Sequence, residues 1–320
     1  MDIEPLPDSS TAPPLTPPPP EGLPSKIFLY DGGLRAGWRL LIYAAFAAAI
    51  AFGGQFVLRQ FVRPSRGVFS PGYLLIQEAF SFVVIFAAAL LMAQIERRSA
   101  GVYGLPLRGA FGKLFWQGCL IGLVEVSALV GLIAAFGGYS FGGLAVHGGQ
   151  LLRWAMLWAV FFLVVGLFEE FAFRGYAQFA LTQGAGFWWA SIATSLTFGA
   201  VHITNPGETW VGITGVVLTG LFWCFTLRRT GSLWFAVGMH AAFDFGETFL
   251  YSVPDSGMTF PGHLSSATLA GPAWLAGGTA GPEASILDFA VLLLFFYVFH
   301  LLFPLRSENL AALEEPVSNG

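Results

Sequence analysis

The sequence predicts an all-α fold, a polytopic membrane bundle of about eight transmembrane helices. Three observations carry that expectation. Of 320 residues, 55% are hydrophobic and only 11% are charged, with 33 Phe. Mean hydropathy is +0.68, far above that of a soluble core of this size. Apolar runs of about 20 residues, enough to cross a hydrocarbon core, recur along almost the whole chain. The formal net charge of −4 says little, because the charges cluster between the apolar runs. No basic stripe points to nucleic acid. Cys119 and Cys224 both lie in apolar runs and read as small buried hydrophobes, with no disulfide inferred.

The N-terminal stretch, residues 1–25, is acidic and proline-rich, with Pro17 to Pro20 in a row. It lacks a basic n-region, so it reads as a disordered, polyproline-like tail and not as a cleaved signal peptide. One membrane domain is expected over 26–306, with its motif core at 151–252, followed by a C-terminal tail at 307–320. The expected spans run Trp38 to Leu58, Tyr73 to Ile95, Leu114 to Phe136, Leu151 into Glu169, Phe187 to Ile203, Trp210 to Leu227, Leu233 to Tyr251 and Ile286 to Phe303. Ser252 to Ser285, rich in Gly and Pro, is expected to form an irregular cap on one face. Trp188, Trp189, Trp210 and Trp234 fit interfacial belts.

Orientation follows from Lys and Arg between the spans. With the N-terminus in the cytoplasm, Lys26, Arg35, Arg39, Arg97, Arg98, Arg108, Lys113, Arg174, Arg228, Arg229 and Arg306 fall inside, against Arg59, Arg63, Arg66 and Arg153 outside. Both termini are therefore expected in the cytoplasm, in a bacterial cytoplasmic membrane. The fourth helix raises a conflict. Continued from Leu151 to Thr182 it would be about 48 Å long at about 1.5 Å per residue, more than a core of about 30 Å. The same layout sets Glu169 near the inner end of span four and His202 near the outer end of span five. If the two share a site, one of these boundaries is misplaced.

The polar residues inside the spans form a pattern. Glu169-Glu170-Phe171-Ala172-Phe173-Arg174 directly follows an apolar run, Phe198-Gly199-Ala200-Val201-His202 ends the fifth span, and His240-Ala241-Ala242-Phe243-Asp244 lies in the seventh. Each acid at membrane depth costs about 3 kcal/mol on insertion scales. Glu170 and Arg174 are four apart and share a helical face, as do His240 and Asp244. Glu169 is rotated about 100° from Glu170 and is free for other work. A lone intramembrane histidine packs between helices more often than it reacts. Six ionisable groups on three spans must face one another or a wet cavity.

The ordered trio resembles the CPBP (CAAX protease and bacteriocin-processing, or Abi) family of intramembrane proteases, which includes the type II CAAX prenyl endopeptidases. Thr230-Gly231-Ser232-Leu233, just before the third motif, is similar to the family too. The family's last position is Asn or Asp; here it is Asp244, and an ionised Asp cannot donate a hydrogen bond. The resemblance implies an intramembrane endopeptidase acting on a peptide or membrane-protein substrate in the bilayer, of CAAX-type prenylated or bacteriocin-like kind. Peptide hydrolysis needs an activated water, an oxyanion donor and an acid for the leaving amine. Glu169 is expected as general base, His202 as the group that orients the water or shares its proton, His240 with Asp244 as oxyanion donor, and Arg174 as the anchor of Glu170 or of a substrate carboxylate.

Glu169, His202 and His240 also offer the ligands of a catalytic zinc. No His-Glu-x-x-His accompanies them, and glutamate-activated water without a cofactor is the favoured expectation. Two other classes fit the composition. One is a non-enzymatic immunity or scaffold protein on the same fold. The other is a proton-coupled transporter, although no internal repeat accompanies the spans. Gln55, Gln77, Glu78 and Glu125 read as helix-bridging groups, with Glu78 a candidate for the cavity wall. Glu247 shares a helical face with His240 and is a candidate neighbour of the site. Asp288 and His300 read as interfacial or paired, and His147 and His263 as solvated.

Overall fold

A computed structural model describes residues 29–30, 33–62 and 70–305. The expected tails, together with Lys26, Arg63, Arg66 and Arg306, lie outside the described residues. Among the described residues, a short hairpin, β1 (Leu29–Tyr30) and β2 (Gly33–Leu34), precedes nine principal helices. They are α1 (Ala36–Phe61), α2 (Pro71–Ile95), α3 (Lys113–Ala135), α4 (Gly149–Arg174), α5 (Tyr176–Ala185), α6 (Phe187–His202), α7 (Trp210–Thr230), α8 (Trp234–Phe245) and α9 (Ile286–Leu302). Every expected span falls on a helix. Five segments are long and apolar enough to cross a membrane: α1, α2, α3, α4 continued by α5, and α7. The expectation of eight spans exceeds this, because α6, α8 and α9 are only 16, 12 and 17 residues long.

The helix starts follow local chemistry. Ser70 Oγ accepts from the Tyr73 amide and Pro71 occupies the first turn of α2, where its missing N–H costs nothing. Thr209 caps α7 in the same way, and Ser285 caps α9. Gly231, at φ +68°, ends α7 in the left-handed conformation that favours glycine. The outer helices are apolar on their exposed sides, with Phe52, Phe56 and Phe61 of α1 pointing outward, as lipid requires.

The conflict over the fourth span resolves at two glycines. The continuous helix to Thr182 is broken at Gly175, where a Cβ would lie 2.4 Å from the Phe171 carbonyl oxygen. The chain restarts as α5 and turns back at Gly186, φ +84°, into α6, which packs against α5. Counting along the chain, 17 residues separate Glu169 from Gly186 and 16 separate Gly186 from His202. The turn at Gly186 thus lies about midway between them, and both side chains reach one cavity. Helix α4 ends five residues past Glu169, and the chain runs on through α5 before turning at Gly186.

Helix α8 is the axis of the bundle. Every residue from Trp234 to Ala242 is buried, as is Asp244. Helix α3 meets it at backbone distance. A Cβ on Gly118 would sit 2.1 Å from Phe235 O, one on Gly122 2.2 Å from Met239 O, and one on Gly238 2.2 Å from Phe115 O. Gly118 and Gly122 form a small-xxx-small ridge, the pattern that lets helices approach closely where lipid gives no hydrophobic drive to associate. On another side, Gly166 of α4 sits against Val237 and Ala241. A π-helical segment, Gly246–Leu250, continues α8 into the loop.

The loop 252–285 caps this end of the bundle. It is tied down by β3 (Tyr139–Ser140) pairing with β4 (Thr268–Leu269) and by a bridge between Leu144 and Ser265. Trp158 Nε1 donates to Pro261 O at 3.1 Å, and Trp158, Phe161 and Phe162 pack with Phe260. Ala273–Ala276 adds a single helical turn.

Three residues assigned to the surface by sequence are buried instead. Arg39, counted as a cytoplasmic loop charge, is 3% exposed and grips Glu96 in a bidentate pair at 2.8 and 2.9 Å. Tyr176 and Tyr103 donate to the same carboxylate, and Gln183 accepts from Arg39. Arg174, counted likewise, lies inside the bundle at 1% exposure. Both drop out of the charge comparison that oriented the chain, because each is satisfied within the protein. Trp234 is not interfacial: it is buried, and its Nε1 donates to Pro106 O at 2.9 Å. Both cysteines are free.

The α3–α8 contact makes a direct prediction. Gly122→Leu puts side-chain atoms where backbone stands, so it should lower the melting temperature by several degrees or abolish the folded, detergent-stable protein. Gly131→Ala, on the same helix with nothing within 4 Å of its Cβ, should be neutral or slightly stabilising. Thermal unfolding of the two purified variants beside the unaltered protein checks both.

Candidate active site

The motif residues sit on three helices because each helix ends or bends beside them. Glu169, Glu170 and Arg174 occupy the last turns of α4, His202 is the last residue of α6, and His240 and Asp244 lie in the last turns of α8. Four of the six, Glu169, His202, His240 and Asp244, line one cavity of about 370 Å³. Glu170 and Arg174 lie behind it, at 0% and 1% exposure. The 100° rotation between neighbouring helical positions separates the two glutamates as the sequence predicts.

His240 is the hub. Its Nδ1 donates to Glu170 Oε1 at 3.0 Å. Its Nε2 lies 3.3 Å from Asp244 Oδ2 and 3.8 Å from Glu169 Oε2. The ring stacks on Trp223 with centroids 4.4 Å apart and an 18° interplanar angle, so it cannot swing out of the carboxylate plane. Glu170 is held in turn by Arg174 Nη1 at 3.4 Å, the expected i,i+4 pair. The guanidinium lies 4.3 Å from the Phe198 ring centroid and 5.3 Å from that of Trp223. Those faces supply part of the stabilisation that water would otherwise give. Gly220 opens the space: a Cβ there would come within 2.6 Å of Arg174 Nη2. Of the two expected roles for Arg174, the geometry matches the anchor of Glu170, since Arg174 does not reach the cavity wall.

His202 is oriented from its own helix. Its Nδ1 lies 2.7 Å from Phe198 O, and its ring packs at 65° on Phe198 with centroids 4.6 Å apart. That leaves Nε2 for the cavity. The Thr230-Gly231-Ser232-Leu233 stretch acts at a distance. Thr230 Oγ1 accepts from the Ser232 amide and the Ser232 hydroxyl accepts from the Trp234 amide, which sets the start of α8.

The cavity is more acidic than the motif implies. Glu78, Glu125, Asp255, Glu283 and Asp288 line it beside Glu169 and Asp244, and among the described residues no lysine or arginine does. Glu78 is there as anticipated. Glu125 and Asp288, read from sequence as a helix bridge and an interfacial group, belong instead to the cavity wall, because α3 and α9 both close on it. Asp255 and Glu283 come from the Gly- and Pro-rich cap, where sequence does not single out an acid. Glu247 is fully buried one helical turn past Asp244. His300 pairs with Arg229 at 2.6 Å. His263, expected in solvent, is half-buried, with Nδ1 3.3 Å from Thr248 O. The apolar part of the wall includes Phe161, Phe162, Val165, Val201, Phe243 and Phe260.

A zinc held by Glu169, His202 and His240 requires three converging donors. Among the described residues, the trio whose ligand atoms lie within 4.8 Å of one another is Glu247, Asp255 and Glu283. His240 directs both nitrogens at carboxylates, and His202 directs Nδ1 at its own helix. As arranged, Glu169, His202 and His240 do not bring three ligand atoms that close together.

No curated protein matches the chain. Residues 149–246, which hold all six motif residues and the cavity-facing parts of α4, α6 and α8, match the family model described as type II CAAX prenyl endopeptidase Rce1-like, a match that is consistent with the CPBP/CAAX protease family.

Proposed function

We propose that the chain is an intramembrane endopeptidase in which Glu169 activates water. The observation that carries this reading is the convergence of Glu169, His202, His240 and Asp244, from three helices, on one cavity. An isolated polar residue that only bridges helices needs no such space. The family match supports the reading, since its description names a prenyl endopeptidase.

In the proposed reaction, Glu169 takes a proton from a water held between it and His202, and the water oxygen attacks the scissile carbonyl. The Nε2–H of His240 donates to the oxyanion that forms. Asp244 and Glu170 hold the imidazole from its two sides, so the donor is oriented before the substrate arrives. Glu169 then passes its proton to the leaving amine, which closes the proton cycle with one water consumed and one peptide bond broken. A positioned general base contributes about 10²- to 10⁴-fold, and an oxyanion donor about 10²- to 10³-fold. The apolar wall suits a lipidated or apolar segment near the scissile bond. A prenylated CAAX peptide is the first substrate to test, and a bacteriocin-like apolar peptide the second.

The test uses purified protein in detergent with both peptides, with and without a zinc chelator. Glu169→Gln should lower turnover by at least about 100-fold while the protein stays folded, with an unchanged melting temperature. A Glu169→Gln variant that cleaves normally overturns the assignment. Activity abolished by chelator and restored by zinc would replace glutamate-activated water with metal catalysis.

Glu170→Gln should behave differently, because Glu170 holds Arg174 and does not reach the cavity. Removing one partner of a buried ion pair costs about 3–5 kcal/mol, so this variant should lose stability first and activity as a consequence. Thermal unfolding and turnover, measured on both variants, separate the two roles.

A further inference from the structure

Glu247, Asp255 and Glu283 come from three separate segments: the π-helical extension of α8, the start of the cap, and the turn before α9. One ligand oxygen from each lies within 4.8 Å of the other two. Glu247 is 0% exposed, and among the described residues neither of its carboxylate oxygens accepts from an N–H or hydroxyl donor. It faces the carboxyl of Glu283, which is itself an acceptor. A buried carboxylate in that position needs a proton or a cation between it and its neighbour.

We propose that these three carboxylates bind a hard divalent cation of the calcium, magnesium or manganese type. The donor chemistry sets the class. All three ligands are carboxylate oxygens, with no imidazole or thiolate among them, and oxygen-only sites take hard cations in preference to zinc. The surroundings orient two of the ligands and leave atoms to spare. Glu283 Oε1 accepts from the Ser256 amide at 2.6 Å, and Asp255 Oδ2 accepts from the Thr248 hydroxyl at 3.3 Å. Both oxygens of Glu247, which accept from no donor among the described residues, are then available to the cation. Bound there, it joins the cap to the end of α8, one turn beyond Asp244. It sits beside the reacting groups and not among them, so its binding is readable whether or not any peptide is cleaved.

The experiment takes the full chain in detergent, strips it with a chelator, removes the chelator, and titrates CaCl₂, MgCl₂ and MnCl₂ separately by calorimetry, with thermal unfolding in parallel. The expected result is one saturable site for at least one of the three ions and a melting temperature that rises by a few degrees at saturation. Glu247→Gln and Glu283→Gln should each weaken that binding at least 10-fold, while Glu125→Gln, an acid elsewhere on the cavity wall, should leave it unchanged. Two results overturn the proposal. One is no saturable binding of any of the three ions to the unaltered protein, which would mean that a shared proton holds the carboxyls together. The other is binding that survives in a folded Glu247→Gln variant, which would place the ion elsewhere. Because the first readout is made on the unaltered chain, a variant that fails to fold does not protect the proposal.

Discussion

An arginine buried inside an apolar bundle is the constraint on which the site depends. The guanidinium of Arg174 carries a charge that must be answered where it lies. Glu170, one turn earlier on the same helix, answers it, and aromatic faces from α6 and α7 cover the remainder. Glu170 then has an oxygen to share with His240 of α8. One electrostatic requirement therefore ties four helices together, and the imidazole at the end of the chain of contacts is held on both nitrogens. The cavity-facing side of the constellation is built on this buried one.

Helix packing supplies the precision that charge alone cannot. Between lipid-facing helices there is no hydrophobic drive, and close van der Waals contact holds them together. Gly118, Gly122 and Gly238 bring α3 and α8 to backbone distance, and Gly166 lets α4 in from another side. Helix α8 is only 12 residues long, yet it is the most enclosed element. It starts at a capped turn, passes through the bundle carrying His240 and Asp244, and gives way to a π-helical segment where the cap begins. Glu247, in that π-helical segment, meets the acids of the cap.

The cavity joins two chemically distinct regions. One side has the histidines and carboxylates from α4, α6 and α8. The other has acids from α2, α3, α9 and the cap, with no basic residue on the wall among the described residues. The first region was legible in the sequence because its residues stand in apolar runs, where each acid or histidine is conspicuous and helical spacing relates neighbours at i and i+4. Apart from Glu78, the second was not. Glu125 and Asp288 are single acids in long apolar helices, with no partner at helical spacing to mark them. Asp255 and Glu283 sit in a Gly- and Pro-rich loop, where acids are unremarkable. Their meeting is a product of long-range folding.

By itself the sequence determined the helical membrane character of the chain, the positions of its helices, the i,i+4 pairing of Glu170 with Arg174 and of His240 with Asp244, and the angular separation of Glu169 from Glu170. All of these are local consequences of hydropathy and of the helical repeat, which act over a turn or two. Only the tertiary structure decided that Glu169 and His202 meet at one cavity, because that depended on where the chain broke at Gly175 and turned at Gly186. It also decided that Arg39 and Arg174 are interior charges, and that acids from α3, α9 and the cap share the cavity. A charge beside an apolar run reads the same whether it faces water or a buried counter-charge; the difference is made by a partner up to 144 positions away, as Gln183 is from Arg39.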